Sequence, residues 1–220
     1  MAEPFDNVPL PMLAPLGDSG LLVRFADALI DRANRAAVAF ARRAQALDLP
    51  GVVEVVPNLV SVLLRYDPAQ TGFAALAGEV RLALSREGVD EPPADEWTIP
   101  VRFDGPDLAE VAALLDMTVP DFIAAHTSTP LRVLATGFAP GFVYCGLHGP
   151  ELVVPRRGTV RPEVPEGSLL FAAGQTAIAA TAMPTGWHVI GSTTFRNFDA
   201  AAQPPTRLAA GGTIRFVVAP

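Results

Sequence analysis

The side chains best suited to chemistry crowd into residues 137–191. There Gly137-Phe138-Ala139-Pro140-Gly141-Phe142 is followed by Pro155-Arg156-Arg157, Arg161-Pro162, Gly174-Gln175-Thr176 and Pro184-Thr185-Gly186-Trp187. Glycine and proline set backbone angles that other residues avoid, and arginine offers a planar fork for carboxylate or phosphate. Gln175 adds an amide that both donates and accepts, and Trp187 adds a broad aromatic face. Groups of this kind bind and orient a small polar or anionic ligand. Pro155 and Pro162 stiffen the arginine stretch, lowering the entropy lost in presenting guanidinium groups; the plainer reading is a solvated loop. His126 closes a helical pattern and reads equally as a site residue or as a cap at a helix C-terminus.

Other arrangements point nowhere catalytic. Gly17-Asp18-Ser19-Gly20 resembles a serine-protease nucleophile motif, but the upstream histidine that such a protease needs is missing and the tetrapeptide leads straight into a strand pattern. Cys145 and His148 have a tempting spacing for a metal, yet zinc takes three or four protein ligands, so no metal is expected and Cys145 reads as a small buried hydrophobe. The 16 basic residues are all arginine. Without lysine there is neither Schiff-base chemistry nor a Walker A loop. A net charge of −7 argues against a nucleic-acid partner, and the helix over Pro120–Ala125 carries no Arg, Asn or Gln to read bases. No signal-peptide pattern and no apolar run of about eighteen residues is present, so a cytoplasmic protein without a membrane segment is expected.

These residues need elements to position them. Gly20–Phe25 reads as a strand, Leu29–Leu47 as a helix, Val52–Val56 and Ser61–Tyr66 as a hairpin turning at Pro57-Asn58, and Phe73–Leu84 as a helix stopped by Gly88. The order β-α-β-β-α predicts a ferredoxin-like half, completed by a strand near Trp97–Val101. Glu91-Pro92-Pro93-Ala94-Asp95-Glu96 is the expected linker. Beyond it, helices are predicted over Asp107–Leu115 and Val119–Ala125, the second opened by a Thr118/Asp121 capping box. From Leu131 the short β-rich runs cut by Gly and Pro predict a small closed or nearly closed barrel. The expected class is α+β, with domains 1–93 and 94–220.

Taken in order, the motifs from Gly17 through Gly51-Val52-Val53-Glu54-Val55-Val56-Pro57, the Gly137–Phe142 loop and Trp187 to Gly212-Thr213-Ile214-Arg215-Phe216 resemble the allophanate hydrolase subunit 1 family. That family is also known as the B-type subunit of 5-oxoprolinase and includes Kip-type kinase inhibitors and carboxyltransferase subdomain C/D. The resemblance implies a cyclophilin-like barrel for 94–220. It also implies a subunit of a heteromeric ATP-dependent amidohydrolase that works with a homologous subunit 2 and a third, lactam-utilising subunit. ATP would be used by the complex, not through a P-loop of this chain, which is expected to be inactive alone. On this reading His126, Arg161 and Gln175 are candidate catalytic residues, and Phe138, Pro140, Gly141, Phe142, Arg156, Gly174, Thr176 and Trp187 line the substrate. The chain departs from the family pattern at Val143-Tyr144-Cys145, Val160-Arg161, Ala177-Ile178-Ala179-Ala180, Thr185 and Ser192-Thr193-Thr194. Such drift keeps open a non-catalytic alternative, a regulator that binds a sensor histidine kinase.

Overall fold

The computed structural model describes residues 11–85 and 95–220. The chain divides into two compact units, Met1–Pro92 and Pro93–Pro220. Among the described residues no helix is long and apolar enough to cross a membrane.

The first unit runs β1 (Met12–Leu16), β2 (Gly20–Arg24), α1 (Asp31–Ala46), β3 (Val52–Asn58), β4 (Ser61–Tyr66) and α2 (Phe73–Ser85). Its strands form an antiparallel sheet in the order β1-β2-β4-β3. Alternation on β2 and β4 sends Leu21, Val23, Val62 and Leu64 to the face that meets the helices. From the helices, Ala33, Ala37, Phe40 and Ala44 of α1 and Leu76 and Val80 of α2 complete that core at helical spacing. Buried Asn34 donates from Nδ2 to the Leu59 carbonyl at 2.6 Å, tying α1 to the β3–β4 turn. Gly17, at φ +60°, opens the turn between β1 and β2, so the protease-like tetrapeptide is a hairpin.

The edge expected for a strand after α2 is occupied by β1 instead. The strand at Glu96–Val101, β5, does not complete this sheet: it belongs to the second unit and pairs in parallel with β13 (Thr213–Val218). The predicted stop at Gly88 and the linker residues 91–94 lie outside the described residues. Asp95 already accepts from Thr213 N–H at 2.8 Å.

The second unit continues with α3 (Leu108–Leu114), α4 (Val119–Thr127), β6 (Leu131–Thr136), β7 (Val143–Gly146), β8 (Arg161–Val164), β9 (Ser168–Ala172), β10 (Gln175–Ile178), β11 (Met183–Thr185) and β12 (His188–Ser192). Seven strands lie in the order β12-β9-β10-β7-β6-β13-β5, and β11 with β8 makes a separate ribbon. The sheet curls until its edges meet: Arg102, just past β5, exchanges backbone bonds of 2.9 and 2.8 Å with Ser192 at the end of β12. Inside lie Ile99, Val133, Cys145, Leu169, Phe171, Ile178, Ile214 and Phe216, joined by Phe122 of α4 and Val111 of α3. Asp121 N–H donates to Thr118 Oγ1 at 3.2 Å, so α4 is capped as predicted. The Asp121 carboxylate accepts from the Thr118 hydroxyl at 2.6 Å in place of the backbone bond that a longer Glu makes in a full capping box.

Candidate functional site on the outer sheet face

Strand alternation sorts the predicted residues onto two faces. On β10, Thr176 and Ile178 point inward, while Gln175 and Ala177 point outward; their cross-strand partners follow, Thr176 lying beside Cys145 and Phe171, and Ala177 beside Tyr144 and Leu170. The outer face carries its own apolar cluster of Phe142, Leu170, Ala172, Ala177, Trp187 and Val189, partly covered by Val164 of β8 and Met183 of β11.

His126 therefore does not meet Gln175. It is 1% exposed on the inner side, with rings of Phe103, Phe122, Phe171 and Phe216 within 5.5–5.9 Å. Its Nε2 lies 2.8 Å from Thr176 Oγ1, and His148 Nε2 lies 2.8 Å from the same hydroxyl. Thr176 has one proton to give, so one imidazole accepts it and the other donates. His126 Nδ1 is buried with no partner, and an orphaned lone pair is less costly there than an orphaned N–H. This favours a chain running from His126 Nε2–H to Thr176, and from the Thr176 hydroxyl to His148. Burial, aided by the neighbouring His148, lowers the His126 pKa to about 3. Burial also lowers His148 to about 4 against the opposing pull of Glu151. Both rings are neutral near pH 7, and His126 is neither a helix cap nor a group facing the outer surface. The nearby Cys145 is fully buried, which pushes its thiol pKa up.

Arg161 is also diverted. Its Nη2 donates to both oxygens of Asp107 at 2.8 and 3.0 Å, Arg157 Nη1 donates to Asp107 Oδ1 at 2.7 Å, and Val189 N–H donates to Asp107 Oδ2 at 2.8 Å. Asp107 is 4% exposed. The candidate catalytic Arg161 and its neighbour Arg157 thus hold the loop to the start of α3 and to β12. Arg157 N–H to the Gly186 carbonyl, at 2.8 Å, adds a backbone tie.

Arg156 differs. It makes no ion pair among the described residues, and its guanidinium sits over Trp187, 5.7 Å from the ring centroid. From Trp187 an aromatic ladder continues through Tyr144 at 6.0 Å and Phe142 at 4.8 Å from it to Phe138 at 5.7 Å. Phe138 is 76% exposed at the tip of the loop. Pro140 lies in this loop, and Gly141, at φ +71°, is wedged where a Cβ would meet Phe198 Cβ at 2.5 Å. Asn197 Nδ2 donates to the Gly141 carbonyl at 2.7 Å.

Gln175 lies across from Ala172, and Ala172 belongs to the same outer apolar cluster as Trp187. Gln175 is 7% exposed and its Oε1 has no partner. The other flank is Gly146, whose missing side chain leaves room for Gln175 Cγ. Gly174 and Ala173, at φ +69° and +52°, form the two-residue turn between β9 and β10, so Gly174 shapes a hairpin.

The structure thus links Arg156, Trp187, Phe142 and Phe138 through Tyr144, sets Gln175 on the same face of the sheet, and leaves out His126, Thr176, Arg161 and Gly174. Sequence reasoning missed Asp107 and Tyr144, and weighed His148 only as a metal ligand. Alternation on Val143-Tyr144-Cys145 was the available signal for Tyr144.

Comparison with known proteins agrees with this architecture. A B-type 5-oxoprolinase subunit of Bacillus subtilis is 31% identical over 216 residues, 92% of this chain and 90% of that protein. Its counterpart of the same name in Escherichia coli O157:H7 is 37% identical over 182 residues, 80% and 83% of the two. The crystal structure of the protein TTHA0988 superposes with a TM-score of 0.81 at 32% identity over 95% of this chain. This chain spans only 40% of that longer protein. The carboxyltransferase domain, subdomain C and D, matches residues 11–208, and the chain belongs to that family.

Proposed function

We propose that the chain is one subunit of a heteromeric, ATP-dependent amidohydrolase of the 5-oxoprolinase type, acting with a homologous second subunit and a third, lactam-utilising subunit. The observation that carries the reading is the makeup of the outer face. It offers a guanidinium at Arg156 and an amide at Gln175 but no imidazole, because His126 and His148 bond to Thr176 inside the sheet and His188 lies 3.1 Å from the Pro155 carbonyl. That is the binding part of a site whose remaining groups come from elsewhere. The names of the B. subtilis and E. coli relatives support the same assignment. On this reading the first unit is a ferredoxin-like variant and the second a cyclophilin-like barrel.

An unactivated lactam resists hydrolysis. Phosphoryl transfer from ATP to the carbonyl oxygen activates the ring carbon; water adds there, the ring C–N bond breaks with the proton passing to nitrogen and leaves an acyl phosphate, and a second water hydrolyses that to the carboxylate and free phosphate. Arg156 would hold the substrate through its carboxylate while this sequence runs. The test is release of ADP and glutamate from 5-oxoproline by the chain alone, by the reconstituted complex, and by a complex carrying Arg156→Ala. Turnover confined to the complex, and cut at least about tenfold by Arg156→Ala, is the expected result. Activity in the chain alone would refute the dependence on partners. A verified complex inert toward 5-oxoproline and related amides would remove the enzyme assignment.

A further inference from the structure

We infer that Tyr144 completes, with Arg156 and Gln175, a subsite for a compact amide bearing a carboxylate: the phenol and the guanidinium take the carboxylate, and the Gln175 carbonyl accepts the amide N–H. This deepens the reading of the outer face given above and rests on it. Tyr144 is half-buried, and its ring is held tilted edge-on between Phe142 at 4.8 Å and Trp187 at 6.0 Å. Its hydroxyl makes no hydrogen bond among the described residues. Burial raises the phenol's pKa, with the Arg156 charge acting in the opposite sense, so near neutral pH the group is a donor. Arg156 braces on the same indole. Tyr144 and Gln175 are diagonal neighbours across β7 and β10, since Tyr144 opposes Ala177. Such neighbours stand roughly 7–8 Å apart, within reach of long side chains.

The polar groups are complementary to one ligand. A guanidinium and a neutral phenol both donate, which suits the two oxygens of a carboxylate. Gln175 Oε1 is an acceptor that the protein leaves unpartnered at 7% exposure, and a secondary amide supplies the N–H that it lacks. Arg157 and Arg161 do not compete, because Asp107 holds both.

The test is binding of 5-oxoproline and of 2-pyrrolidinone, the same lactam without its carboxylate, to the full chain alone and with its homologous partner subunit. Trp187 fluorescence reports occupancy, and Trp187→Phe must abolish the signal. We expect the wild type to prefer 5-oxoproline by about tenfold or more, the worth of charge-assisted bonds. Tyr144→Phe and Arg156→Met should each shrink that preference to about threefold or less while leaving 2-pyrrolidinone binding and Tm unchanged. A wild type that binds neither lactam in either state, or both equally, overturns the subsite, as do variants that keep the preference. A complex that binds the carboxylated lactam through Tyr144 and Arg156 yet never turns it over removes the enzyme assignment and leaves the subsite standing. One that turns it over with kcat/KM unchanged in both variants does the reverse.

Discussion

Asp107 gathers two guanidiniums and one backbone N–H on a side chain that is 6% exposed, while Arg157 and Arg161 remain 22% and 31% exposed. Removing the carboxylate leaves both cations facing each other and Val189 N–H without an acceptor. Breaking a fully buried pair costs about 3–5 kcal/mol; because these arginines keep some water, Asp107→Ala should cost about 2–4 kcal/mol in urea unfolding. Arg156→Ala, at an exposed position, should fall within about 0.5 kcal/mol. Equal effects of the two substitutions would mean that the cluster carries no special load. The histidines make a second prediction. Unfolded imidazoles titrate near 6.5, whereas His126 and His148 are held at about 3 and about 4 by burial. Between these values the unfolded chain binds protons that the folded chain refuses, so stability falls as pH drops from about 6.5 towards 4 and levels off only below 3. Glu151 is the charge acting on His148. His148→Leu should flatten part of this slope in urea melts recorded from pH 7 to 4, and an unchanged slope would show that His148 does not contribute.

At the scale of elements, the loop before β7 is held by shape. Gly141 adopts φ +71°, and an added Cβ would meet Phe198 Cβ at 2.5 Å and Ala180 Cβ at 2.9 Å. Gly141→Ala should therefore cost at least about 2 kcal/mol, from backbone strain and overpacking together. Gly158→Ala, where nothing lies within 4 Å, should stay within about 0.5 kcal/mol. Matching unfolding curves for the two variants would contradict the wedge. The contrast also marks what is legible in sequence. The helices α1, α2 and α4 announce themselves because each buries one periodic face, and the hairpin β3–β4 because its two runs are rich in β-branched and aliphatic residues. β1 does not, since Pro11 and Pro15 obscure a short edge strand. β5 reads as a strand but belongs to a different sheet from the one expected, because its partner β13 lies more than a hundred residues away and periodicity says nothing about pairing. The site is half legible for the same reason. Arg156, Phe142 and Trp187 gather around Tyr144 with Gln175 on the same sheet face, but the carboxylate that claims Arg161 comes from the start of α3, and the cage around His126 is assembled from α4, β9 and β13 with Phe103.

Across the whole molecule, each unit completes its own hydrogen-bond ladder, and among the described residues no strand is shared between the sheets of the two units. A polypeptide of residues 93–220 should accordingly fold by itself, since it contains β5, β13 and the Arg102–Ser192 closure. A polypeptide beginning at Phe103 should not. It lacks β5, which leaves the parallel edge of β13 open and removes Ile99 and Val101, both 0% exposed. Full burial of such side chains is worth about 1.5–3 kcal/mol each, so the truncation forfeits roughly 3–6 kcal/mol before the lost backbone pairing is counted. Domains of this size are stable by only about 5–15 kcal/mol, and the shorter fragment is expected to show broad urea transitions and to bind a hydrophobic dye. Circular dichroism and urea titration of the two fragments beside the full chain decide the matter. A 93–220 fragment that fails to fold while the full chain folds would show that the second unit depends on the first, and a cooperative 103–220 fragment would show that β5 is an ornament on a sheet already complete without it.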